Sequence, residues 1–225
     1  GSIPCAAELF ADAVREKIAA HYLIVGGEGH TTESLRRKMA ALCPGLLTEG
    51  KSEAEVFAGY LSQKYGISPD YLETASTNCG NNVTNALELI KKEGLPHDTI
   101  LLMQDASMQL RMDAGFRKYL DAHSRIINFA CYQAEVIVEN NALAFRDNTI
   151  TGLWDMERYI TLLMGEIPRL RDDSEGYGPQ GKNFIAHVDI PEHVEKAYVY
   201  IKENYGDLTR TANPAYATSK GEGSA

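Results

Sequence analysis

Cysteine is scarce: four residues, Cys5, Cys43, Cys79 and Cys131, among 225. They stand far apart, without a CxxC pair or a Cys/His spacing suited to zinc. Scattered single cysteines read as reduced core residues of a cytoplasmic protein and give no basis for a disulfide frame. Long apolar runs are missing too. No stretch approaches the roughly 18 residues of a membrane span, and no basic, apolar leader is seen at the start, so no membrane partner is expected. Basic residues are the minority charge, 22 against 31 acidic, for a formal net charge of -9. That balance repels polyanions, so nucleic acid is not an expected partner. Hydrophobic and charged fractions are ordinary, 44% and 24%, which excludes disordered and collagen-like classes. A chain of this length buries a core without covalent staples.

What is present is an alternation of helix and strand signals. Residues 6–19 carry Phe10, Ala13, Val14 and Ile18 at helical spacing. The run from Tyr22 to Val25 is apolar and closed by Gly26-Gly27, as in a buried strand. Helices are expected at 33–42, at 53–65, and around Val83, Ala86, Leu87 and Ile90, the last with Gly94 just past its end. Residues 99–103 read as a second strand, Met112 to Leu120 as a helix, and 126–129 as a third strand. Such repeats predict an α/β fold over residues 1–150, with a parallel sheet covered on both faces. From 151 the pattern turns helical. Leu153, Met156, Ile160, Leu163, Ile167 and Leu170 make one amphipathic stripe, and Val194, Ala197, Tyr198, Ile201 and Tyr205 another. A helical extension over 151–206 and a flexible tail over 207–225 are expected.

Three polar segments follow presumed strands. In the first, Gly27, Glu28, Gly29, His30 and Thr31 stand between a strand and a helix. Glycines let the backbone turn and approach a ligand, and the helix N-terminus would offer N–H groups to an anion. The pattern Gly27-x-Gly29-x-x-Thr32 is a partial dinucleotide fingerprint, and a plain glycine turn with a threonine cap has the same spacing. His30 would lie outside the carboxyl end of a strand, where imidazole can move a proton near neutral pH. A hydrogen-bonding turn histidine would sit there equally well. The second segment, Ser76 to Asn82, precedes the best-defined helix; Asn78 suits either a cap or a ligand hydroxyl. Cys79 at that helix start is a weak nucleophile candidate, with no histidine paired to it in sequence. The third, Gln104 to Arg111, offers Asp105 or Ser107 as a cap and Arg111 to a ligand or to a neighbouring acid. Glu53 would lie in a helix's first turn, where carboxylates are favoured anyway. The remaining histidines fit no ligand pattern, and no metal site is expected.

The motifs GGEGHTT (26–32), GKSEAE (50–55), STNCGNN (76–82), QDASMQLRM (104–112) and the long stretch 152–189 together resemble the YdcF/SanA/ElyC family of Rossmann-like bacterial proteins. The resemblance runs from about residue 1 to about 195, with 152–189 outside the generic family core. It implies a Rossmann-like three-layer α/β/α fold with a parallel sheet, and a small, mostly helical C-terminal subdomain. It also implies S-adenosylmethionine binding, while attaching no reaction to the family. By position, Gly27, Gly29, His30, Glu53, Asn78 and Arg111 match family motif residues. Two departures stand out. Many members carry a histidine where this chain has Ser107-Met108-Gln109. Gly1-Ser2-Ile3-Pro4 resembles the turn after the family's first strand, so that strand is expected upstream of residue 1.

The sequence thus points to a cytoplasmic binder of a nucleoside-type ligand, with S-adenosylmethionine as the cofactor implied. The proposed pocket is Gly27, Glu28, Gly29, His30, Thr31, Asn78, Asp105 and Arg111, with His30 and Glu53 as proton handlers. The rival reading is a non-catalytic cell-envelope biogenesis or regulatory factor, as in other members of the family. A metal-dependent phosphate-ester hydrolase using Asp172 and Asp173 is disfavoured, because adjacent acids on a helix point about 100° apart. An ion-paired seam through Arg169, Arg171, Asp172 and Asp173, tying the extension to the sheet domain, is the plainer account of those residues.

Overall fold

Apolar runs closed by glycine or by short polar segments become strands here, and the 3.6-period stretches become the helices between them. This is seen in a computed structural model, which describes residues 3–206 and 208. The expected tail therefore lies, apart from residue 208, outside the described residues. Those residues form a mixed α/β fold with seven helices and six strands, the strands paired as three two-stranded sheets. The chain divides into two compact units, the first ending at Leu101 and the second beginning at Leu102.

In the first unit, α1 (Cys5–Arg15) leads to β1 (Leu23–Val25), then α2 (Thr32–Leu42) and α3 (Glu53–Tyr65). The strand β2 (Tyr71–Glu73) pairs parallel to β1, with Val25 opposite Glu73, so the two carboxyl ends lie side by side. Helix α4 (Cys79–Lys92) follows. Parallel neighbours need a long crossover, and α2 and α3 supply it. The core is mainly helix on helix. Ala7 and Ala11 of α1, Leu35 and Met39 of α2, and Val56, Tyr60 and Leu61 of α3 are almost wholly removed from solvent.

Helix α3 shows why these boundaries fall where they do. Ser52 accepts the Glu55 N–H at 3.2 Å, and the Glu55 carboxylate returns to the Ser52 N–H at 2.8 Å, a reciprocal cap. Gly66 ends the helix at φ +67°, in the left-handed region. The Ser52 N–H, with Lys51 beside it, holds the Glu55 carboxyl down to about 2 from 4.5. That contribution is present above pH 4.5 and is lost as pH falls towards 2. Ser52→Ala should therefore lower stability by about 1 kcal/mol in urea unfolding and shift the Glu55 titration upward. An unchanged midpoint would count against the cap.

Strand β3 (Thr99–Gln104), whose last three residues open the second unit, pairs with β4 (Arg125–Ala130), and α5 (Gln109–Tyr119) lies between them in sequence. An antiparallel hairpin, β5 (Val136–Glu139) and β6 (Ala142–Phe145), turns at Asn140 and Asn141, both at positive φ, as a tight two-residue turn requires. The expected stripe from 153 becomes α6 (Met156–Leu170), capped by Asp155, and the last helix is α7 (Glu192–Tyr205). Ala114 of α5, Leu170, Ile185 and Val188 form a core cluster.

Candidate functional site

The parallel pairing of β1 with β2 continues one residue past Val25: the Gly26 N–H donates to the Glu73 carbonyl at 2.9 Å. The chain then folds over the β2 exit. The Gly27 N–H reaches Ser76 Oγ at 3.0 Å, and the Glu28 N–H reaches the Ser76 carbonyl at 3.1 Å. A Cβ on Gly27 would sit 2.2 Å from the Ser76 oxygen, so only glycine permits this approach. Helix α3 hangs from the same loop, its Glu53 and Ala54 N–H groups donating to the Gly27 and Gly26 carbonyls at 2.8 Å each. Three segments, 26–32, 52–54 and 74–78, are thereby pinned into one polar rim at the carboxyl ends of two parallel strands.

The rim corrects one expectation. The N–H groups of residues 26–29, at the first strand exit, are not free to cradle an anion. Gly26, Gly27 and Glu28 donate as described, and the Gly29 N–H is taken by Thr32 Oγ1 at 2.7 Å. Nor is α2 capped by a threonine side chain. Both threonine hydroxyls serve Glu53 instead, Thr31 donating to Oε1 at 3.1 Å and Thr32 at 2.9 Å. His30 and Glu28 are exposed on the rim. The Glu28 carboxylate accepts from Arg36 at 3.3 Å. Arg36 itself is nearly buried and grips the Lys51 carbonyl through Nε and Nη2, at 2.9 and 2.6 Å.

Asn78 is the N-cap of α4, accepting the Asn81 N–H at 3.0 Å. Its amide donates to Asn81 Oδ1 at 2.9 Å, and the Thr77 hydroxyl donates to the same oxygen at 3.0 Å. The thiol of Cys79 is half-buried in the first turn of that helix.

Sequence reasoning missed Glu73. It closes β2, is 7% exposed, and its Oε1 accepts three bonds: Ala75 N–H at 2.7 Å, Ser76 N–H at 3.0 Å and Asn85 Nδ2 at 3.1 Å. Its Oε2 is buried with no hydrogen-bond partner. The only available signal was an acid directly before the small polar run 74–82. Arg36, flanked by the core residues Leu35 and Met39, carried even less.

Asp105 and Arg111 belong to the second unit. Asp105 is 1% exposed and caps nothing; α5 has Met108 at its N-cap, without a side-chain bond. Its carboxylate instead accepts from Ser107 N–H and Oγ, Tyr132 Oη at 2.6 Å and Trp154 Nε1 at 2.7 Å. Burial, with the Asp105 charge beside it, pushes the Tyr132 phenol well above its ordinary value. Arg111 forms a two-pronged pair with Glu166 of α6, Nε to Oε2 at 2.5 Å and Nη2 to Oε1 at 2.8 Å. The structure thus brings together Gly27, Glu28, Gly29, His30, Thr31, Glu53 and Asn78 in one unit, while Asp105 and Arg111 are engaged inside the other.

Asp172 and Asp173 stand beyond the end of α6, so the helical argument against them does not apply. Each is committed to its own turn: Asp172 accepts the Gln180 N–H at 2.6 Å, and Asp173 those of Glu175 and Gly176. Arg171 pairs with Glu195 of α7 at 2.9 and 2.6 Å, and Arg169 lies 3.7 Å from Glu166, both inside the C-terminal stretch. His187 lies between two carboxylates, Nδ1 to Asp172 at 2.6 Å and Nε2 to Asp189 at 3.1 Å. Donating to both requires the imidazolium. Its pKa is accordingly raised from 6.5, by Asp172 first and Asp189 second. The stabilisation is complete below pH 6.5 and is lost as pH rises through the folded value. The His187 imidazole NMR titration should fall above 6.5 in the wild type, and Asp172→Asn should bring it down.

No protein-family model matches the chain.

Proposed function

We propose that this chain is a cytoplasmic member of the YdcF/SanA/ElyC family, with that family's Rossmann-like three-layer arrangement, and that the rim of its first unit binds a nucleoside-type ligand. S-adenosylmethionine is the first candidate. The observation that carries this reading is the joining of two parallel strand exits, with the N-terminus of α3, into one polar rim; α/β proteins place ligands at such carboxyl edges.

The donor and acceptor balance narrows the ligand. The N–H groups of Gly26 to Gly29 are consumed, so a phosphate or carboxylate has little to meet at those four amides. An acidic acceptor without a partner remains at Glu73, which suits a ribose hydroxyl, an ammonium or a sulfonium centre. S-adenosylmethionine carries all three, and its methionine carboxylate would be met away from the amides of residues 26–29. When bound, it would supply a methyl group activated by the sulfonium.

The chain's own contribution is positioning. Gly27 and Gly29 allow close main-chain approach, Glu28, Thr31 and Asn78 frame the rim, and His30 and Glu53 are the groups able to hold or move a proton. Asp105 and Arg111 are left out of the binding set, because their side chains tie the second unit together. Isothermal titration of the folded protein with S-adenosylmethionine, and separately with inorganic pyrophosphate, tests the reading. Heat from the first and none from the second is expected. A flat S-adenosylmethionine titration overturns it.

A further inference from the structure

Glu73 poses a chemical question that the rim alone leaves unanswered. One carboxylate oxygen is saturated with three N–H donors, while the other, equally buried, has none. Buried carboxylate oxygens without donors are costly, and folded proteins keep few of them without a use. The three donors on Oε1 come from the turn 75–76 and from Asn85, on the second turn of α4. The same turn presents Ser76 to Gly27 and Glu28. The unsatisfied oxygen therefore belongs to the junction of β2, the glycine loop and α4, with its carboxylate plane fixed from one side only.

We infer that Glu73 contacts the ligand directly, its Oε2 accepting a hydrogen bond from a hydroxyl or ammonium group of the bound nucleoside. This assignment rests on the nucleoside reading above. Oε2 is closed to solvent, so the donor reaches it as the turn at Thr74 and Ala75, both exposed, shifts on binding. Glu73 is then both the post that shapes the β2 exit, through Oε1, and a recognition group, through Oε2.

Glu73→Gln separates the two roles. An amide oxygen can still accept the three N–H groups, while the amide NH2 replaces the unsatisfied acceptor and the charge is gone. Without ligand, the variant should melt at or above the wild-type temperature. Its affinity for S-adenosylmethionine by isothermal titration should fall tenfold or more. Asn85→Ala, which removes only an Oε1 partner, should stay within about threefold of wild type.

A purely structural Glu73, or one satisfied by a buried water, predicts a lower melting temperature and unchanged affinity, and that result overturns the assignment. Wild-type titrations keep the question open to refutation even if Glu73→Gln fails to fold. Weaker binding of 2′,3′-dideoxyadenosine than of adenosine identifies a hydroxyl donor. Weaker binding of the S-adenosylmethionine analogue with a keto group in place of the amine, which keeps the sulfonium and the carboxylate, identifies the ammonium. Equal affinities within both pairs overturn the assignment while leaving the functional reading intact. If the wild type binds none of these compounds, the functional reading falls, and this inference falls with it.

Discussion

Gly27→Ala is expected to destabilise the protein by about 3 kcal/mol or more, at the upper end of what a misplaced methyl costs in a packed site. The added Cβ would meet the Ser76 oxygen at 2.2 Å and the Ser76 nitrogen and Thr74 oxygen at 2.7 Å each. All three are main-chain atoms, which cannot rotate away as a side-chain end can. Relief would require the glycine loop to lift off the β2 exit. That movement breaks the bonds from Gly27 and Glu28 to Ser76 and loosens the two carbonyls that hold α3. Stability and any ligand binding should therefore fall together. Gly50→Ala is the comparison. Its φ of +68° carries a left-handed penalty of about 1 kcal/mol, but nothing lies within 4 Å of the new methyl. Urea unfolding of both variants decides the matter, and a Gly27 loss no larger than that at Gly50 would sink the close-approach argument.

Glu166→Ala should be as severe, about 3 to 5 kcal/mol, for an electrostatic reason. The Arg111 and Glu166 side chains are only 12% and 6% exposed, so water cannot replace the lost carboxylate. Arg169, 3.7 Å from the same carboxylate, would add a second uncompensated cation nearby. Replacing both Arg111 and Glu166 with apolar residues of similar volume should cost far less than Glu166→Ala alone, because the desolvation of both charges is then avoided. A double-mutant cycle in thermal or urea unfolding measures this coupling. Near-additive single losses would show the pair to be incidental.

What the sequence made legible follows from how local each signal is. Helix α3 runs from Glu53 to Tyr65 as expected, since the Ser52–Glu55 cap, the apolar spacing and Gly66 all act within a few residues. Strand β2 escaped because it has three residues, its middle Leu72 is 38% exposed, and its pairing with β1 depends on partners 48 positions away. The β5–β6 hairpin did carry a cue, the Asn140-Asn141 pair between two short apolar runs, but runs of four residues are too brief to register as a period. For the site, the glycines were readable because a backbone need is written in residue type. The destination of their N–H groups was not, since Ser76 and Thr32 meet them only through the fold. Arg111 illustrates the same limit: its partner lies 55 residues on, so its sequence position could not distinguish a ligand contact from an internal ion pair.

The suspension of α3 from the glycine loop has a consequence for motion. The Glu53 and Ala54 amides are bonded to loop carbonyls, and α3 carries the buried Val56, Tyr60 and Leu61. The loop and the helix must therefore open as one cooperative piece, on the slow timescale of the core. In hydrogen exchange, the amides of Glu53 and Ala54 should be protected like those of mid-helix, although they occupy a helix start that normally exchanges fast. The glycine loop is then the fixed part of the rim, and any adjustment to an incoming molecule falls to Thr74 and Ala75, in the exposed turn that follows β2.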